Sequence, residues 1–164
     1  MAPSSIRIVR VRYDNPAHAA ALVGLLDAYA RDPAGGGEPL GDFVRAHLVD
    51  ELAARPFIFS VLAFDGDTPV GLVNAIEGFS TFACRPLVNV HDVVVLPGHR
   101  GRGIAARLFA ETEAIARERG ACKLTLEVLS GNHAARGLYE KLGFDDYQLD
   151  PAMGHAQFLQ KWLD

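Results

Sequence analysis

The sequence predicts an α/β protein of the α+β type, with a mixed, splayed central β-sheet of about six or seven strands flanked by helices. Three observations carry this reading. Apolar runs alternate with stretches of helical spacing in the order β-α-α-β-β-β-α-β-α-β-β. Turn signals such as Asp65-Gly66-Asp67 fold neighbouring runs into hairpins. A strand–helix–strand unit across residues 87–129 requires a parallel, right-handed crossover, so the sheet must mix strand directions.

Residues 6–13 alternate Ile6, Ile8 and Val11 with arginines and read as a strand. Asp14-Asn15-Pro16 signals a helix start, and residues 17–31 carry Leu22, Leu25, Leu26 and Tyr29 at helical spacing. Residues 32–41, with Pro33 and Gly35-Gly36-Gly37, read as a loop, and residues 42–54 as a second helix. Residues 57–64 and 69–77 form a predicted hairpin, and 87–96 a long apolar strand. A helix over 103–119, a strand over 122–129 and a short helix over 132–142 follow. Residues 144–149 and 156–163 read as two closing strands.

At 164 residues the chain reads as one domain. A domain near ~150 residues buries roughly 70% of the surface its unfolded chain exposes, enough to fold without disulfides or metal. The net charge of −4 argues against nucleic acid as a partner. Cys84 and Cys122 lack metal-type spacing and suit reduced thiols in a cytoplasmic protein. The first residues lack an apolar signal core, and no apolar run is long enough to span a membrane.

Charge is unevenly spread. Between Gly98 and Arg107 stand Arg100, Arg102 and Arg107 with no acid, in a glycine-rich loop joining the 87–96 strand to the next helix. The first N–H groups of a helix lack internal partners and carry the positive end of its dipole, so Arg100, Gly101, Arg102, Gly103, Ile104 and Ala105 read as an anion site. The glycines also suit a plain turn. Gly101-x-Gly103-x-x-Ala106, with Glu127 downstream, further fits a dinucleotide fingerprint and hence an oxidoreductase. Against that stand the long approach from Val95, the two crowding arginines, and the few residues after Gly131.

Two spaced motifs resemble the GNAT superfamily of N-acetyltransferases. Arg100-Gly101-Arg102-Gly103-Ile104-Ala105 matches its signature loop. Asn132, Ala135, Tyr139, Gly143 and Phe144 match a second signature. The resemblance covers residues 57–144 well. It implies a GNAT-like acyl-CoA N-acyltransferase fold, with acetyl-CoA as co-substrate and no metal. Backbone groups along Val93, Val94 and Val95 would hold the pantetheine arm, with Asn132 on its opposite side. Residues 78–95, including Gly78-Phe79-Ser80 and His91-Asp92, look like the diamine and polyamine acetyltransferase branch, although that branch usually has an acid where this chain has His91. A di- or polyamine acceptor and a homodimer follow from the resemblance. A non-catalytic acetyl-CoA-binding module stays open as the alternative.

N-acetylation requires a neutral amine, a polarised thioester and a protonated leaving thiolate. Tyr139 is the candidate acid, because a phenol, with a reference pKa near ~10, stays protonated at neutral pH. His91 is the first candidate base, since imidazole as a residue type titrates near ~6.5. Strand alternation groups Asn89, His91, Val93 and Val95 on one face and turns Asp92, the second candidate base, to the other unless a bulge re-aims it. Glu77, Phe79, Phe82, Asp42 and Tyr29 are candidates to line the acceptor side. His18, His47, His99, His133 and His155 read as surface or structural residues.

Overall fold

A computed structural model describes residues 6–163, which divide into two compact units at Leu126 and Glu127. The first unit holds a five-stranded sheet in the order β1-β2-β3-β4-β5. Its strands are β1 (Ile6–Arg10), β2 (Ile58–Asp65), β3 (Thr68–Ser80), β4 (Arg85–Val95) and β5 (Leu124–Leu126). Pairing is antiparallel from β1 to β4 and parallel between β4 and β5. The mixed directions follow from connection length. Short turns join β2 to β3 and β3 to β4, whereas a helical crossover joins β4 to β5.

Helix α1 (Pro16–Arg31) starts where the sequence signals it. The Asn15 side chain accepts from the N–H groups of Ala17 and His18, and Pro16 occupies the first turn, where no donor is needed. Leu22 and Leu25 of α1 and Leu52 of α2 (Asp42–Ala53) pack on Leu62, Leu72 and Val94 of the sheet. Helix α3 (Ile104–Glu118) covers the other face through Ile104, Leu108, Phe109 and Ile115. Leu22, Leu62, Leu72 and Leu108 are fully buried, each a gain of roughly 1.5–3 kcal/mol over exposure.

The strand count is five rather than six or seven among the described residues. The predicted strands over 144–149 and 156–163 do not form. That stretch contains a single 3-10 turn at Pro151–Met153, capped by the Asp150 side chain. Its apolar residues, Phe158, Leu159, Trp162 and Leu163, come in adjacent pairs rather than alternation, and all four are exposed. Strand β5 is also shorter than the predicted 122–129, because its ladder with β4 ends at Val90 and Leu126. The second unit contains α4 (His133–Lys141).

Candidate active site

The feature that shapes the site is a bulge in β4. Asn74 of β3 pairs with Asp92, but the next residue, Ala75, pairs with Val90, so His91 is an extra residue without a partner. Directly paired residues share a face of the sheet. Asn89, paired with Ile76, and Asp92, paired with Asn74, therefore lie on the α1 side with Val94. Val88, Val90, Val93 and Val95 lie on the α3 side. Simple alternation, which groups His91 with Val93 and Val95 and turns Asp92 away, is corrected by this one inserted residue.

Both His91 and Asp92 line a cavity of about 440 Å³ on the α1 side. Its walls come from α1, the 32–41 loop, α2, β2, β3 and β4. Tyr29 lines it as well. Burial, followed by the negative charges of Asp92 and Asp32, raises the Tyr29 phenol above its ordinary value, so it stays protonated at neutral pH.

A chain of hydrogen bonds runs beneath Asp92. Asn74 Nδ2 donates to Asp92 Oδ2 at 3.0 Å, and Ser60 Oγ donates to Asn74 Oδ1 at 2.6 Å. Tyr13 OH lies 2.9 Å from Ser60 Oγ. A carboxylate only accepts, which fixes the Asn74 amide orientation. The serine must then donate to Asn74, and the tyrosine to the serine. Every donor in the chain points toward Asp92. Ser60 and Asn74 are buried polar residues in apolar strands. Sequence reasoning passed over Asn74, although a polar residue inside Val-Gly-Leu-Val-Asn-Ala-Ile is a signal, because a buried amide needs partners.

The outer edge of β4 leads to the second part of the site. Leu96 N–H donates to Val70 C=O on β3, so Val93 and Val95 direct their backbone groups to the opposite edge, past the end of the β5 ladder. Val94 pairs with Leu72 and buries its side chain in the core. After a 3-10 turn at Pro97–His99, Gly101 and Gly103 adopt φ of 75° and 74°, the left-handed region that glycine tolerates. Gly103 precedes α3 and supplies no capping side chain, so the N–H groups of the first turn have no side-chain partner. A Cβ added at Gly98, Gly101 or Gly103 would meet nothing within 4 Å. The result is an open cradle of backbone donors. Arg102 is held by Asp65 at 2.8 Å. Arg100 donates through Nε to Val95 C=O at 3.1 Å and faces Asp32 at 3.9 Å.

In the second unit, Asn132 Oδ1 caps α4 by accepting from Ala135 N–H at 3.1 Å. The Tyr139 ring meets Phe144 edge-on at 6.0 Å, and Phe144 N–H returns to Tyr139 C=O. The spacing from Tyr139 to Phe144 thus closes the end of α4.

Of the five residues expected on the acceptor side, Tyr29 lines the cavity and the others do not. Glu77 is paired with Arg119 at 2.8 Å, whereas Phe79 and Phe82 are exposed and Asp42 sits in the first turn of α2. His18 accepts from Arg12 N–H, and His47 stacks on Phe43. Among the described residues, no cluster of three or more His, Cys, Asp or Glu side chains is arranged to hold a metal, and no helix is long and apolar enough to cross a membrane.

The model of the acetyltransferase (GNAT) family matches residues 22–144. The chain belongs to the GNAT family. It is 38% identical over 87 residues to streptothricin acetyltransferase of Streptomyces lavendulae, a match covering 51% of this chain and 46% of that protein. The chain therefore spans about half the length of that relative. It is 30% identical over 121 residues to N-alpha-acetyltransferase 30 of Schizosaccharomyces pombe, covering 68% of this chain and 71% of that protein. In fold it resembles the aminoglycoside acetyltransferase AAC(6')-Iy in complex with a CoA-containing bisubstrate analogue. The TM-score is 0.75 at 21% identity, over 97% of this chain and 99% of that one.

Proposed function

We propose that this protein transfers the acetyl group of acetyl-CoA to a primary amine of a small molecule, by direct attack in a ternary complex. The observation that carries this reading is the bulge that opens His91 and Asp92 onto one cavity, on the strand that runs into the backbone cradle. The thioester arrives already activated, so the protein needs no nucleophile of its own.

The cradle suits a pyrophosphate. N–H groups from Gly101 to Ala105 would bind its oxygens, and Arg100 and Arg102, which face Asp32 and Asp65, would turn to the phosphates at the rim. The edge groups of Val93 and the N–H of Val95, whose C=O accepts from Arg100, would bond the pantetheine arm, and a β4 N–H near Val93 would polarise the carbonyl. Asn132, whose Oδ1 is used in capping, would reach the arm through Nδ2. Asp92, oriented by Asn74, would receive the ammonium, and His91 would accept its proton. Tyr139 would donate to the departing sulfur. Di- and polyamines are the finer expectation from the likeness of residues 78–95. A cytoplasmic setting and a homodimer belong to the same reading.

The decisive experiment measures thiol release from acetyl-CoA over a panel of primary amines. Turnover with an amine is the expected result. Tight CoA binding without turnover on any amine would overturn the reading in favour of a binding module.

A further inference from the structure

The wall of the acceptor cavity differs from what a polycation needs. Leu26, Leu40, Leu48, Leu52, Ile58 and Ile76 line it, and Asp92 is the sole carboxylate in the lining. The neighbouring acids are committed elsewhere. Asp27 holds Arg31, Arg45 and the Leu40 N–H. Asp32 caps the Pro33–Gly35 turn and faces Arg100; its charge is felt at Tyr29, but its carboxylate is outside the lining. Glu77 is paired with Arg119. A second ammonium in this cavity would face mostly leucine and isoleucine beside the polar Tyr29, Asn74 and His91. With Asp92 already engaged and no second carboxylate in the lining, that is an unfavourable exchange for part of its water. An apolar body would gain by burial there, and the volume of about 440 Å³ exceeds what an amino group alone occupies.

We propose that the acceptor is a primary amine with one cationic centre carried on an apolar body, seated with its nitrogen at Asp92 and His91 and its hydrocarbon against Leu48, Leu52 and Ile58. This proposal rests on the acetyl-transfer reading for its chemistry, although the binding preference can be measured without any transfer. It narrows the acceptor away from di- and polyamines, whose second charge has no partner in the wall.

The test uses the full-length protein and two probe series, n-alkylamines from butyl to octyl and the α,ω-diamines of matching length. Binding is measured by calorimetry in the presence of CoA, and acetyl transfer by thiol release. Each added methylene of the monoamine is expected to tighten binding about three- to fourfold until the cavity is filled. Each diamine is expected to bind at least about tenfold more weakly than the monoamine of its length. Leu48→Glu, on the partly exposed side of α2, adds a carboxylate to the wall and is expected to erase most of that penalty while weakening the longer monoamines. Diamines that bind as well as monoamines, an affinity independent of chain length, or an unchanged preference in Leu48→Glu would overturn the proposal. The methylene ladder in binding with no thiol released upholds the cavity assignment and removes the transfer reading. Faster transfer to diamines does the reverse.

Discussion

The loop after β4 offers peptide N–H groups, whereas the cavity beside β4 offers side chains from five elements and a loop. The first is local: ten consecutive residues from Leu96 to Ala105 make the whole cradle, and its essential features are two left-handed glycines and an uncapped helix start. The second is assembled from residues as distant as Leu26 and Asp92. Backbone chemistry is the same in every chain that makes the turn, so the donor side is generic. Side-chain chemistry is particular, so the acceptor side sets specificity. Substitutions should therefore separate cleanly, those in the loop acting on CoA and those in the cavity acting on the amine.

The largest effects should fall on the proton-transfer groups. His91→Ala is expected to lower kcat/KM by roughly 100-fold or more near neutral pH, within the range for a general base. The loss should shrink as pH rises toward about 10, where an alkyl amine deprotonates unaided. A pH–rate profile parallel to wild type would remove His91 as the base. Tyr139→Phe should lower kcat to a similar degree and leave CoA affinity nearly intact, as single-turnover and calorimetric measurements can check.

Gly103→Val comes next. A β-branched residue at φ 74° is strained by roughly 1–3 kcal/mol, so CoA affinity should fall about 10–100-fold as the cradle shifts, with amine binding to the cavity unchanged. Loss of both affinities together would break the separation of donor and acceptor sides.

Asn74→Leu removes the link between Ser60 and Asp92. It leaves a buried hydroxyl without its acceptor and a carboxylate without its donor, so stability should fall by about 1–3 kcal/mol. The amine KM should rise as Asp92 loses its orientation, and Asn74→Gln should not rescue it, because the longer amide cannot fit the same spacing. Thermal unfolding and steady-state kinetics together test this.

The smallest effect concerns the 32–41 loop. Arg31, then the Leu40 N–H, holds the Asp27 carboxyl below the usual carboxylate range. A lowered folded pKa means that this anchoring is complete above the unfolded value near ~3.9 and is lost as pH falls through the lower folded value. Protection of the Leu40 amide should therefore hold at neutral pH and fail only in acid, and in Asp27→Asn it should be weak at both.

The same contrast explains what the sequence made legible. Asn15-Pro16, Gly101, Gly103 and Asn132 act within a few residues of themselves, and their capping or turn roles follow from type and spacing. The hydrogen-bond chain from Tyr13 to Asp92 spans residues 13–92 and has no local signature beyond a serine and an asparagine, each in an apolar strand. The bulge was nameable from sequence only as an exception to alternation. Its position depends on the β3–β4 register, which is a property of two strands. The closing strands expected over 144–149 and 156–163 rest on hydrophobicity without alternation, and hydrophobicity without a ladder partner does not make a strand.

His91 is also the one β4 residue that the sheet could lose without noticing. An in-frame deletion would join Val90 to Asp92. Val88, Val90, Val93 and Val95 would keep the α3 face, Asn89, Asp92 and Val94 would keep the α1 face, and every β3 partner would stay the same. Such a deletion should leave the core intact and make the ladder regular. Architecture therefore places no demand on this residue, and its presence shifts the register of an otherwise regular β3–β4 ladder. A single codon separates a regular ladder from one whose extra residue brings His91 and Asp92 to the same cavity, which makes the length of β4, more than its composition, the variable on which the site depends.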